Sequence, residues 1–247
     1  DEALARFQFD VPGGHHWVEF GPALTREDID RQIADPARKA RSSARATLFG
    51  FSDEIACRPP IGTNAQALAH FRAWLKSRGI TPAELGVGSL DEVTPIESPL
   101  ELRARQKINR AAANRVFVWT TRFRHESATQ RLKWLTESFH RVAPTNVLTS
   151  TLVADHPYFG GSGLGMGMDR ENTTWGGYPL SLDWFSLARE RVVDVIGIED
   201  WLGLNYMYGP DSTWEGFQLI GFQAAIFRSG SRGSPREIEA PLSAPGN

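Results

Sequence analysis

Three short apolar runs, Ala46–Phe51 (ATLFGF), Asn146–Val153 (NVLTSTLV) and Val192–Ile198 (VVDVIGI), are separated by stretches with helical periodicity. Runs this short with apolar residues on both faces are strands covered from both sides, and strand–loop–helix repeated in this order implies a parallel sheet. Two architectures satisfy it: a barrel, or an open doubly wound sheet. Periodicity does not choose between them.

The helical segments carry their own punctuation. Thr25 is an N-cap for a helix in TREDIDRQIADPARKARSSA, with Asp28 three residues on, and Pro36 is expected to break or kink it. Thr63 or Asn64 caps a second helix, in which Leu68, Phe71, Trp74 and Leu75 form the apolar stripe and which Gly79 ends. A long helical region follows from about Pro99 to Val142. Its stripe is Leu132, Leu135, Phe139 and Val142, and Pro144 stops it. Leu182–Arg191 and Thr213–Phe227 are expected to be helical, and His16–Phe20 has room for one early strand. The segment 1–228 reads as one barrel-like domain, and the Ser/Gly/Pro-rich 229–247 as a tail or linker.

Charge excludes some functions. With 27 Lys and Arg against 29 Asp and Glu, the net charge of −2 offers no field for a phosphate backbone or an anionic bilayer. No apolar stretch approaches the roughly 18 residues that span a membrane. Cys57 is the only cysteine, so an internal disulfide is impossible. The chain begins at Asp1 with neither Met nor a signal sequence, as a mature form or a piece of something longer would. Eight Trp, by contrast, supply flat apolar faces suited to sugar rings, although most aromatics fill cores.

Two acidic pairs stand directly after apolar strands: Asp53-Glu54 after ATLFGF, and Glu199-Asp200 after VVDVIGI. Parallel α/β folds build their sites at the carboxyl ends of strands. Two carboxyl groups meeting there, one kept protonated by desolvation and one ionised, are the equipment of glycoside hydrolysis. The competing assignment is that these acids are helix caps or loop ion pairs.

The segment LFGFSDEI…AHFRAWLKSRGITPAELGVGSLDEVTPI resembles the bacterial β-galactosidases of glycoside hydrolase family 42. His70–Lys76 matches that family's helix, Asp91–Pro95 its turn, and Phe139–Asn146 the helix end before its next strand. The likeness covers about Thr47 to Asn146. It implies a (β/α)8 TIM-barrel-like fold, incomplete or truncated here, and a retaining glycosidase acting on a β-linked sugar without metal or organic cofactor. Glu54 takes the place of the acid/base and Glu199 that of the nucleophile, with Asp200 and Glu215 as competitors. Asp53 stands where the family has Asn. An ionised Asp accepts from a sugar hydroxyl but cannot donate. That departure leaves open a different sugar, or a non-catalytic carbohydrate-binding protein.

His156, Trp175, Trp201 and Trp214 are further candidates for substrate contact, and Trp184 lies among the same cluster of tryptophans. A metal-dependent hydrolase using Asp53, Glu54 and His156 is a third alternative, without support from H-x-H or H-E-x-x-H spacing. Gly160–Met168 (GGSGLGMGM) lacks the Lys-Ser/Thr of a P-loop and is expected to be a loop over the pocket. Because the strand resembling the family's fourth begins near residue 46, little chain precedes it. A second copy, or a partner chain completing the barrel, is the association this implies.

Overall fold

The computed structural model describes residues 15–40, 47–52, 60–153, 182–199, 224–232 and 242–244. Its elements alternate as expected: β1 (His15–His16), α1 (Arg26–Lys39), β2 (Thr47–Phe51), α2 (Ala65–Ser77), α3 (Pro82–Leu85), a 3-10 turn (Leu90–Glu92), α4 (Pro99–His140), β3 (Val147–Val153), α5 (Trp184–Glu190), β4 (Val195–Glu199), a helix over 224–231 that we call α6, and β5 (Leu242–Ala244). All strand pairs are parallel, and the sheet order is β1-β2-β3-β4-β5. A doubly wound sheet reverses its order at a switch point. No reversal occurs among the described strands. Nor do they close: β1 and β5 are the edges of an open sheet, so the expected eight-stranded barrel is not seen among the described residues. Leu242–Ala244, within the stretch expected to be a tail, supplies β5.

One core joins sheet and helices. Ile29, Ile33 and Ala37 of α1, Leu132, Leu135 and Phe139 of α4, Leu187 of α5 and Phe227 of α6 pack with Phe49, Phe51, Val147, Val153 and Ile196 of the strands. The strand members are alternate residues, so these helices cover one face of the sheet. On β3 that face also carries Thr149 and Thr151, whose hydroxyls are satisfied: Thr151 Oγ1 donates to the Phe51 carbonyl at 3.0 Å. A second cluster is separate. It joins Phe71 and Leu75 of α2, Leu85 of α3, Val93 and Ile96, and Val116 and Phe123 of α4. Helix α4 therefore spans both clusters. It breaks at Asn109 (φ −147°, ψ 96°), whose Oδ1 accepts from the Ala112 amide at 3.1 Å and so caps the part that runs on to the sheet.

Local signals held where a cap or stripe decided them. Thr25 and Asp28 form a reciprocal capping box, and Asn64, not Thr63, caps α2 by accepting from the Ala67 amide. Four expectations are corrected. Pro36 does not break its helix: α1 runs on to Lys39, held by the fully buried Ile29, Ile33 and Ala37 and by Arg26–Glu137 and Asp30–Arg141 ion pairs to α4. That packing outweighs the roughly 3 kcal/mol cost of an interior proline. Val142 lies beyond the last helical turn and is 47% exposed. The early strand is His15–His16 instead of His16–Phe20. Finally β4 begins at Val195, because Asp194 is taken up in side-chain bonding.

Asp194 Oδ2 accepts from the Thr149 amide (2.7 Å), Thr149 Oγ1 (2.9 Å) and His140 Nε2 (2.7 Å), tying α4 to the N-terminal ends of β3 and β4. Burial pushes this carboxyl's pKa up, but the bonds from His140 and Thr149 outweigh it and hold the pKa below the ordinary value. A depressed folded-state pKa means that the unfolded chain takes the proton first. The contribution of Asp194 is therefore present above about pH 3.9 and is lost as pH falls through its lower folded pKa. Chemical denaturation between pH 3 and 6 is expected to show Asp194→Asn flattening the acid limb of the stability curve. An unchanged limb would remove Asp194 as a contributor.

Candidate functional site

In an all-parallel sheet the C-terminal strand ends share one edge. The rung nearest that edge crosses β1 to β4: His16 pairs with Phe51, Phe51 with Thr151, and Thr151 with Ile196. Past that rung β2 ends at once, whereas β3 runs to Val153 and β4 to Glu199.

Ser52 makes β2 stop. Its φ of 48° is left-handed, an unfavourable conformation for a residue with a side chain. Its amide donates to the His16 carbonyl at 2.7 Å. Its hydroxyl accepts from the Val18 amide at 2.9 Å and donates to the Val18 carbonyl at 3.2 Å. Three bonds thus hold a buried serine in a strained turn and clamp the chain leaving β1 to the end of β2. Strain of this kind, about 1–3 kcal/mol, concentrates at functional sites and persists only where surroundings over-determine it. Ser52 directly precedes Asp53-Glu54. Sequence reasoning missed it, since a serine after an apolar run carries no local signal of positive φ.

The rest of the loop after β1 is also anchored. Buried Arg131 of α4 donates to the carbonyls of Pro22 (3.0 Å) and Leu24 (3.1 Å), and His70 Nδ1 lies 2.9 Å from the Pro22 carbonyl. His16 stacks on Phe49 with ring centroids 4.2 Å apart, on the helix side of the sheet, and partial burial lowers its pKa. Of the adjacent histidines, His16 thus covers Phe49 while itself remaining exposed.

Among the residues expected at the site, Glu199 is described as the last residue of β4, where its backbone pairs with Ala244 of β5. Asp53, Glu54, His156, Trp175, Asp200, Trp201 and Trp214, the competitor Glu215 and the loop Gly160–Met168 lie outside the described residues. Trp184 is a core residue, buried and stacked on Phe227 at 5.4 Å. No cluster of three or more metal-ligating side chains occurs among the described residues. A groove of about 1160 Å³ runs between α1, α2, α4 and α5, lined by Thr25, His70, Trp74, Arg131 and Trp134 among others and by no strand residue. Four of its cations are already paired, Arg26 with Glu137, Arg78 with Glu126, and Lys133 and Arg189 with Glu190. Of the acidic pairs of the sequence only Glu199 is among the described residues, at the strand-end edge and not in this groove.

No protein-family model matches the sequence, nor does any curated protein. Among solved structures the chain is similar in fold to a β-galactosidase from Bacillus circulans sp. alkalophilus, with a TM-score of 0.55 and 16% identity. The match covers 87% of this chain and 28% of that one. The chain therefore spans little more than a quarter of the length of the enzyme it resembles. At this identity the likeness is one of fold alone.

Proposed function

We propose that this chain is a (β/α)-barrel-type glycoside hydrolase, retaining, and acting on a β-linked sugar such as a β-galactoside. The observation that carries the proposal is the rung. Phe51 of β2 and Ile196 of β4 are level across β3, and in the sequence Glu54 and Glu199 each follow that rung by three residues. Strands two apart are about 10 Å apart in backbone. The proposal requires the two glutamate side chains to converge across that gap to the roughly 5–5.5 Å separation of a retaining pair. The similarity of fold to a β-galactosidase supports the same assignment.

The roles follow from the chemistry. Glu199 attacks the anomeric carbon as the bond to the leaving oxygen breaks, and Glu54 gives its proton to that oxygen. Water, deprotonated by Glu54, then displaces Glu199 from the anomeric carbon. The proton has returned to Glu54, and two inversions leave the configuration retained. No step calls for a metal or an organic cofactor.

The test is Glu54→Gln on a panel of nitrophenyl β-glycosides. Turnover is expected to fall by roughly 10²–10⁴-fold, with the fold intact by circular dichroism. Azide, which needs no deprotonation, is expected to restore it and to yield a glycosyl azide of retained configuration. Unchanged turnover would refute the role of Glu54. A carbohydrate-binding protein without catalysis is a second reading, favoured by Asp53 in the place of the family's Asn. Calorimetric titration with sugars to which the protein binds, together with no turnover of any panel member, would select it.

A further inference from the structure

Residues 102–125 of α4 hold seven of the chain's 27 Lys and Arg and none of its 29 Asp and Glu. A chain that is nearly neutral as a whole thus gathers positive charge on one stretch of helix. Two of the seven are neutralised from within: Arg105 pairs with Glu101, and Arg124 with Glu97. Lys107, Arg110, Arg115 and Arg122 are exposed, and none has a carboxylate partner among the described residues. Arg115 gives one N–H to the Glu84 carbonyl at 2.9 Å, and Arg122 lies over the Trp119 ring. Past the break at Asn109, the residues Ala111, Arg115, Val118 and Arg122 recur at four- and three-residue spacing, and all four are exposed. The opposite side of the same segment, Ala113, Val116 and Phe123, is buried in the second cluster. A basic ridge therefore faces solvent on a helix held firmly from behind. Helix stability does not account for it. Arg110 opens the segment that Asn109 caps, where the helix dipole opposes a cation.

We infer that this ridge binds a linear acidic polysaccharide, one that carries sulfate or carboxylate groups. The choice of a carbohydrate among polyanions rests on the glycosidase reading above. From Arg110 to Arg122 the helix runs about 18 Å, which suits a polymer with repeated charges better than a single small anion. Three of the four cations are Arg, whose planar fork meets a carboxylate or a tetrahedral oxyanion through two parallel hydrogen bonds. Other polyanions fit less well. Phe117, Trp119 and Phe123, the aromatic residues of the segment, pack on the second cluster, so no ring stands out for nucleobases to stack on. The apolar face of the helix is used in the same packing. An anionic bilayer would therefore meet only Ile108 and Val118 of this segment as apolar anchors.

The test is binding to three immobilised polymers at rising salt: a sulfated galactan, the same galactan after desulfation, and hyaluronan as a carboxylated chain. Wild type is expected to bind one or both acidic polymers, to release them as salt rises, and to pass the desulfated galactan. Combining Arg110→Gln, Arg115→Gln and Arg122→Gln is expected to weaken that binding about tenfold, with the fold intact by circular dichroism. The control combines Arg31→Gln, Arg38→Gln and Lys39→Gln, three exposed cations of α1, and so makes the same change in net charge. It is expected to lose no more than about twofold. Failure of wild type to bind either acidic polymer, equal binding to the desulfated galactan, or equal losses in the two triple variants overturns the inference. Tighter binding to duplex DNA or to phosphatidylserine vesicles than to either acidic polysaccharide also overturns it, and assigns the ridge to nucleic acid or to a membrane. Turnover of a neutral nitrophenyl β-glycoside is expected to be the same in all three proteins. If none of them turns one over, the glycosidase reading fails, and polymer binding still decides the ridge.

Discussion

Replacing Glu199 by Gly is expected to lower turnover of nitrophenyl β-glycosides by about 10⁴-fold, and azide is expected to restore it with the opposite stereochemistry to that seen for Glu54→Gln. The reason is geometric. Without the nucleophile a small anion enters from the face that Glu199 occupied and displaces the leaving group once, so the product azide is inverted. Without the acid/base, azide attacks the glycosyl-enzyme from the other face, and the product retains configuration. Two variants of similar severity thus give opposite anomers, which assigns the two roles independently of the size of either rate loss. Proton NMR of the azide adduct reads the anomer directly. An inverted adduct from Asp200→Gly or Glu215→Gly instead, with Glu199→Gly fully active, would move the nucleophile and sink the argument from the rung.

Gly230→Ala is expected to destabilise the fold, against the ordinary preference of helices for alanine. Gly230 is buried in α6 where that helix meets α5. A Cβ placed there would stand 2.5 Å from the Phe185 carbonyl oxygen and 2.8 Å from Ala188 Cβ. Both contacts are too close, and the first is with backbone, which cannot rotate away. The helices must separate, loosening the neighbouring stack of Trp184 on Phe227. Overpacking of this kind costs about 1–3 kcal/mol, occasionally more, against a propensity gain near 1 kcal/mol. Valine, larger and without that gain, should cost more. A chain of this size loses about 2–4 °C of melting temperature per kcal/mol. Differential scanning calorimetry should place wild type above Gly230→Ala and that above Gly230→Val. An alanine variant that melts higher than wild type would mean that α5 and α6 do not approach this closely.

Legibility followed the range of the interaction. The box at Thr25 and Asp28, the cap at Asn64, the stripe through Leu132, Leu135 and Phe139 and the apolar runs of β2, β3 and β4 involve residues within a few positions of one another, so composition and spacing revealed them. Pro36 misled because its penalty is local whereas its compensation comes from α4, roughly a hundred residues away. β5 was missed because three residues in a Ser/Gly/Pro-rich stretch acquire strand character only by pairing with β4. The acidic pairs were visible as carboxylates beside apolar runs, yet nothing in the sequence placed β2 and β4 two apart or Phe51 and Ile196 on one rung.

By itself, then, the sequence determined the helices α1, α2, α4 and α5 and the strands β2, β3 and β4 to within a few residues, and that two carboxylate pairs stand near the ends of apolar runs. Those properties arise from hydrogen bonds and side-chain periodicities that close within about four residues. Only the tertiary structure decided the strand order without reversal, the rung from His16 to Ile196 and the left-handed turn at Ser52. Each depends on atoms brought together from distant parts of the chain, where partner, register and strain are set by the packing of the whole sheet against its helices.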